Sequence, residues 1–217
     1  MQMKMLLSVI VCSIVILGGA FLPRCCQAAN ADNEADKKVA AIHKAYKGIQ
    51  DINGSFVQKS TIKDLKKTEI YKGQFFIKAK KMRWEYKGEK PQIVYITGRE
   101  IIIYQPLQKQ AFKAPFNHAT YGQAPIALLS GLGNIDQEFF VAMKDEKLIL
   151  TPKTPMGNVT QVELATNDEG FPIKSLSVTD KLGNRIDIAL NSVKTNTNIR
   201  NALFIFKAPE GVAVLEQ

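Results

Sequence analysis

A chain of 217 residues can bury a sizeable core within one domain. It carries a formal charge of +9, two histidines and three cysteines, and all three cysteines (Cys12, Cys25, Cys26) lie near the N-terminus. That distribution excludes a disulfide framework for the rest of the chain and leaves little material for a metal site.

The N-terminus reads as an export signal. Lys4 supplies the positive end, Met5 to Leu22 is almost wholly apolar, and small residues at Cys26 and Ala28 fit cleavage after Ala28. Residues 1–28 are therefore assigned to a signal peptide and 29–217 to the mature domain. A retained membrane helix is the alternative, since the apolar run is about long enough to span a bilayer. Gly18-Gly19 and Pro23, placed before the small-residue site, favour cleavage. Processing as a lipoprotein at Cys25 or Cys26 would anchor the chain instead, but Pro23-Arg24 replaces the small residues such a site wants. Loss of the signal lowers the charge to +7, because Lys4 and Arg24 leave with it. An exported basic chain points away from nucleic acid and toward an anionic membrane surface or an acidic partner, unless the charge merely solvates the surface.

From Asp32 the chain reads as an amphipathic helix. Ala35, Val39, Ile42, Tyr46 and Ile49 form one stripe, Asp32 is the N-cap candidate, and the end lies near Gly48 or Asn53-Gly54. The period then changes to two. Strands are expected over Ser55–Thr61, Thr68–Lys78, Met82–Tyr86, Gln92–Ile96, Ile101–Tyr104 and Gln108–Lys113. Within Met82-Arg83-Trp84-Glu85-Tyr86 one face is Met-Trp-Tyr and the other Arg-Glu. Pro125-Ile126-Ala127-Leu128-Leu129-Ser130-Gly131 has proline and glycine placed for a short apolar helix, either a lid or a core helix. Further strands follow over Phe139–Met143, Lys147–Thr151, Val159–Ala165, Ile173–Thr179, Arg185–Leu190 and Leu203–Phe206. The fold class is mostly β (α+β): about ten or eleven antiparallel strands in one barrel or strongly curved sheet.

No catalytic constellation stands out. His43 sits beside the helix stripe and His118 in a loop, far from any ligand cluster, and no nucleophile elbow, phosphate loop or dinucleotide turn is present. Neither an enzyme nor a cofactor is expected. What remains is an excess of apolar strand surface, which encloses either a plain core or a cavity for a hydrophobic ligand.

An ordered set of short motifs bears on that choice: Phe56-Val57-Gln58, Gly73-Gln74-Phe75-Phe76-Ile77-Lys78, Arg83-Trp84-Glu85-Tyr86, Gln92-Ile93-Val94 with Gly98, and Tyr104-Gln105-Pro106 with Gln110. Pro125-Ile126-Ala127-Leu128-Leu129, Leu150-Thr151-Pro152-Lys153, and Phe204 and Phe206 with Pro209 and Gly211-Val212 complete it. In this order the chain resembles the outer-membrane lipoprotein carrier protein (LolA) family. The resemblance implies an incomplete antiparallel β-barrel with a helical lid over an apolar cavity for lipoprotein acyl chains. It also implies a periplasmic monomer that receives acylated lipoproteins from an inner-membrane ABC exporter and hands them to an outer-membrane receptor. A lipid-anchored receptor or lipid-sensing module on the same fold is the alternative function.

Strand parity and the resemblance together place Phe56, Phe75, Ile77, Met82, Trp84, Tyr86, Val94, Ile96, Ile101 and Ile103 in the cavity wall. Val39, Ile42, Tyr46, Leu128 and Leu129 fall on the lid side. One departure matters. Where the family has an Arg that fastens the lid, this chain has Ala79 within Lys78-Ala79-Lys80, so the lid is expected to be looser or fastened by another residue.

Overall fold

A computed structural model describes residues 25–116, 129 and 135–216, with side chains from Asn33 onward. Helix α1 (Cys25–Lys47) leads into β1 (Asp51–Ile62), β2 (Lys67–Lys78), β3 (Lys81–Lys87), β4 (Gln92–Ile96), β5 (Glu100–Gln105) and β6 (Gln110–Pro115). A one-turn helix α2 (Ile135–Glu138) precedes β7 (Phe139–Lys144), β8 (Lys147–Pro152), β9 (Val159–Thr166), β10 (Ile173–Asp180) and β11 (Arg185–Thr195). A 3-10 turn (Asn201–Phe204) and β12 (Ala213–Glu216) end the chain.

All strands belong to one sheet, ordered β12-β6-β5-β4-β3-β2-β1-β11-β10-β9-β8-β7. From β6 to β7 every neighbouring pair is antiparallel; β12 adds to β6 in parallel. Among the described residues no pairing joins β12 to β7, so the barrel is open.

Register explains why one face is apolar. Residues directly opposite in an antiparallel pair point the same way. Ile52, Ile77, Met82, Ile96 and Ile101 therefore form one row across five strands, and Gly54, Phe75, Trp84, Val94 and Ile103 form the next. Phe56, Gly73 and Tyr86 form a third. The glycine in that row is required by packing. A Cβ on Gly73 would lie 1.9 Å from the Glu85 carbonyl oxygen and 2.6 Å from Cε1 of Phe56, whose ring occupies the space.

Helix α1 lies on this inner face. Ala35, Val39 and Ile42 are buried in the same cluster as Phe56, Phe75 and Trp84, and the Lys38 ammonium donates to Thr166 Oγ1 at 3.2 Å. The outer face of β4–β6 carries a smaller cluster of Tyr95, Ile102 and Ala111, covered by Phe206 and Val212 from the C-terminal segment.

Several boundaries differ from the sequence reading. Helix α1 begins at Cys25, ahead of the expected cap at Asp32, because Gln27-Ala28-Ala29 and Ala31 are strong helix formers and no breaker interrupts them. Strand β1 starts at Asp51. The Asp51 carboxylate accepts hydrogen bonds from Thr197 N (2.8 Å), Thr197 Oγ1 (3.0 Å) and Ile199 N (3.1 Å), so a distant segment pins the strand's first residue. Residues 108–109 belong to a turn closed by Lys109 N donating to the Pro106 carbonyl at 3.2 Å, so β6 starts later than expected. Leu203–Phe206 is no strand. It crosses the outer face instead of extending the sheet, with Arg83 Nη1 donating to the Leu203 carbonyl at 3.2 Å and Phe206 resting between Tyr95 and Tyr104. Of the expected helix over 125–131, only Leu129 lies within the described residues, and it is helical.

Candidate functional site

The centre of the inner face is an aromatic stack. Phe56 lies over Trp84 with ring centroids 3.8 Å apart, Phe75 flanks the indole at 5.2 Å, and Tyr86 meets Phe56 edge-on at 5.4 Å. All four come from β1–β3, whose period-two pattern aims them inward. Phe56, Phe75 and Trp84 are almost completely buried, and so are Ile77, Met82, Ile96 and Ile101; Val94 is buried, and Tyr86 and Ile103 are half-buried. In this conformation the ten wall residues share one face, but most of them are packed solid.

Polar groups at the stack are few. The Tyr86 hydroxyl donates to Gln58 Oε1 at 3.0 Å, and Gln58 Nε2 donates to Ser60 Oγ at 3.0 Å. Burial pushes the Tyr86 phenol up to about 12, against a smaller downward pull from Trp84 and Gln58. The Trp84 indole N–H is buried without a well-aligned acceptor, a costly arrangement in an apolar site.

Open space lies at one end of the stack. A cavity of about 620 Å³ is floored by Ile49, Ile52, Ile77 and Leu129. Its rim carries His43 and Lys47 from the end of α1, Gln50 from the α1–β1 connection, Ala79 and Lys80 from the β2–β3 turn, and Asp136 and Gln137 from α2. That volume is mid-range for ligand pockets, about 300–1,000 Å³.

One hydrogen bond ties the far wall of this cavity to α1, and a second side chain of the helix approaches it. The Tyr46 hydroxyl donates to the Leu129 carbonyl at 3.0 Å, and His43 Nε2 lies 3.2 Å from Asp136 Oδ1. Tyr46 is half-buried with its hydroxyl as the sheltered end, and burial pushes its pKa well above the usual phenol range. Its ring also meets Phe171 at 5.9 Å. Of the expected lid residues, Val39, Ile42 and Leu129 are buried against the inner face, Tyr46 reaches Leu129, and Leu128 lies outside the described residues.

Ala79 occupies the two-residue β2–β3 turn at φ +52°. Ala79 lines the cavity and its side chain can donate no hydrogen bond; the hydrogen bond to Leu129 comes from Tyr46 on α1. Sequence reasoning missed Ile52, His43 and Asp136 as members of this site. Ile52 precedes the expected strand start, and the other two meet only in the tertiary fold. Among the described residues no group of His, Cys, Asp and Glu is arranged to hold a metal, and no helix is long and apolar enough to cross a membrane.

The family model for outer membrane lipoprotein carrier protein LolA matches residues 47–207. The chain belongs to the LolA family. An outer-membrane lipoprotein carrier protein of Leptothrix cholodnii is 28% identical over 185 residues, covering 82% of this chain and 85% of its own. One of Bordetella avium is 26% identical over 192 residues, covering 86% and 88%. An uncharacterized conserved protein of Thermus thermophilus has a TM-score of 0.51 at 15% identity, covering 84% of this chain and 99% of that one, a likeness of fold alone. Within the LolA match lie the whole inner-face stack, Ala79 and the Asp51 attachment; most of α1, with His43 and Tyr46, lies before it.

Proposed function

We propose that this protein is a periplasmic carrier of acylated lipoproteins and binds their acyl chains between α1 and the inner face of the sheet. The supporting observation is the cavity beside the Trp84 stack, floored by apolar side chains and open at a polar rim. In this reading residues 1–28 are removed on export. The mature monomer then takes cargo from an inner-membrane ABC exporter and passes it to an outer-membrane receptor.

Magnitudes set the terms of such a carrier. Moving an acyl chain out of a membrane costs about 0.8 kcal/mol per CH₂ unless another apolar surface receives it. The chain carries no nucleotide-binding motif, so energy for extraction comes from the partner. At about 30 Å³ per water-sized group, 620 Å³ holds roughly twenty such groups, enough for one acyl chain. A second or third chain needs more room than this cavity offers. A cavity sized for partial loading binds firmly without trapping its cargo.

Purified mature protein, incubated with ATP and vesicles that contain the exporter and a triacylated lipoprotein, should release a soluble one-to-one complex. Lipoprotein that stays wholly in the vesicles would refute the reading.

A further inference from the structure

The end of the sheet opposite the cavity rim has an unusual composition. The β1–β2, β5–β6 and β10–β11 turns all lie there, because β1, β5 and β10 run the same way. Each exposes one leucine at its apex: Leu65 at 69%, Leu107 at 65% and Leu182 at 64%. These are not loose side chains on floppy loops. Each turn is closed by a backbone hydrogen bond, Lys66 N to the Lys63 carbonyl (3.1 Å), Lys109 N to the Pro106 carbonyl (3.2 Å) and Gly183 N to the Asp180 carbonyl (2.9 Å). Each also turns through a residue at positive φ: Lys66 at +47°, Lys109 at +50° and Gly183 at +77°.

Two of the three apices are locked together. Lys63 N donates to Asn184 Oδ1 at 3.0 Å, so Leu65 and Leu182 form one tip. Leu107 stands about 19 Å from Leu65 across the sheet, four strand spacings of about 4.8 Å. Lysines surround them: Lys63 and Lys66 beside Leu65, Lys181 beside Leu182, Lys109 beside Leu107. Lys87 and Lys90, with one acid (Glu89), stand at the β3–β4 turn in between. Of the other nearby carboxylates, Glu69 is paired with Lys67 at 2.7 Å. Asp180 is occupied by Leu182 N, Asn184 N and Asn184 Nδ2. Asp64 and Glu210 are left, the latter carried to the β5–β6 turn by Ala213 N donating to the Lys109 carbonyl at 2.9 Å, against these six lysines.

We propose that this end of the sheet docks on an anionic lipid bilayer, with Leu65, Leu107 and Leu182 entering the headgroup region and the flanking lysines meeting the phosphates. Fixed apolar apices ringed by cations are the composition a bilayer interface selects, since apolar insertion and attraction to anionic lipid add. The geometry has a directional consequence. The cavity rim at Ala79 and Lys80 is at the other strand ends, about 40 Å away along the 12-residue β1. A docked molecule keeps its cavity mouth clear of the lipid. The docking surface is separate from the acyl-chain reading and does not depend on it.

The test is co-sedimentation of the mature protein with vesicles of phosphatidylglycerol in phosphatidylethanolamine, compared with pure phosphatidylcholine. Wild type should bind the anionic vesicles, weaken with salt, and lose about tenfold in partitioning for each of Leu65→Ser, Leu107→Ser and Leu182→Ser. An environment-sensitive dye on Leu107→Cys should shift to the blue on anionic vesicles. No binding by wild type, an unchanged affinity for the triple serine variant, or a dye that stays in water while the protein sediments would each overturn the proposal. Capture of an acidic protein with no vesicle binding would do the same.

Discussion

Replacing Tyr46 with Phe removes one oxygen and leaves the ring on Phe171. The lost interaction is the 3.0 Å hydrogen bond to the carbonyl of Leu129, a residue that itself has no exposed surface. A neutral hydrogen bond contributes about 1 kcal/mol net, and an acceptor left bare in an apolar site costs somewhat more. Losing the donor to this buried acceptor therefore costs about 1.5 kcal/mol, roughly a tenfold shift toward separation of Leu129 from α1. The contact is local, so the sheet should not register the change. Amide hydrogen exchange reads both quantities at once. The peptide containing Leu129 should exchange about tenfold faster in Tyr46→Phe, while peptides from β1–β3 keep wild-type protection. Uptake of a fluorescent acyl probe should quicken in parallel. Unchanged exchange at Leu129 would mean that Tyr46 does not fasten this wall and that His43–Asp136 or apolar packing holds it alone.

Gly73→Ala should destabilise the protein by about 3 kcal/mol or more, seen as a lower thermal midpoint, because its methyl would overlap the Glu85 carbonyl and the Phe56 ring. The Asp51 attachment should respond to acid. Burial alone would raise its pKa, but the N–H groups of Thr197 and Ile199, the Thr197 hydroxyl and nearby Lys78 hold it below the usual carboxylate range. Its contribution is therefore fully present above about pH 4, the ordinary Asp value, and fades as pH falls through the lower folded value. Asp51→Asn should cost about 3 kcal/mol at neutral pH and flatten that part of the acid limb in melts run from neutral to strongly acid pH. Mass spectrometry of the exported protein should find a free Ala29 at its N-terminus; a diacylglyceryl cysteine at Cys25 or Cys26 would assign it to an anchored receptor instead.

The strands nearest the aromatic stack were legible because their signal is local. Met82, Trp84 and Tyr86 alternate with Arg83 and Glu85, and β4 spans Gln92–Ile96 as the pattern indicates. Parity could not say which face of one strand joins which face of the next. That depends on turn length, and the two-residue turn at Ala79-Lys80 aligns Ile77 with Met82. Where distant partners decide, local pattern carries no signal. Asp51 begins a strand because Thr197 and Ile199 reach it. His43 matters because Asp136 arrives beside it, although its helical position only placed it next to the apolar stripe. Leu203–Phe206 alternates well enough for a strand, yet no free ladder edge lies where it crosses, and Tyr95 and Tyr104 take Phe206 instead. The leucine tips look like ordinary turn residues one at a time. They become a surface only when the strand order puts all three turns at one end.

The position of β1 in the middle of the sheet governs the order in which the protein can assemble. Its two ladders mature at different times: β2 follows within a few residues, whereas β11 pairs from the far end of the chain, Phe56 opposite Leu190. A chain emerging N-terminus first, from a ribosome or through a membrane pore, can fold the β1–β6 meander early. One flank of its central strand stays bare until β11 appears. Closing so long a loop is entropically slow, so the two halves of the sheet join late and the inner face stays open to chaperones until then.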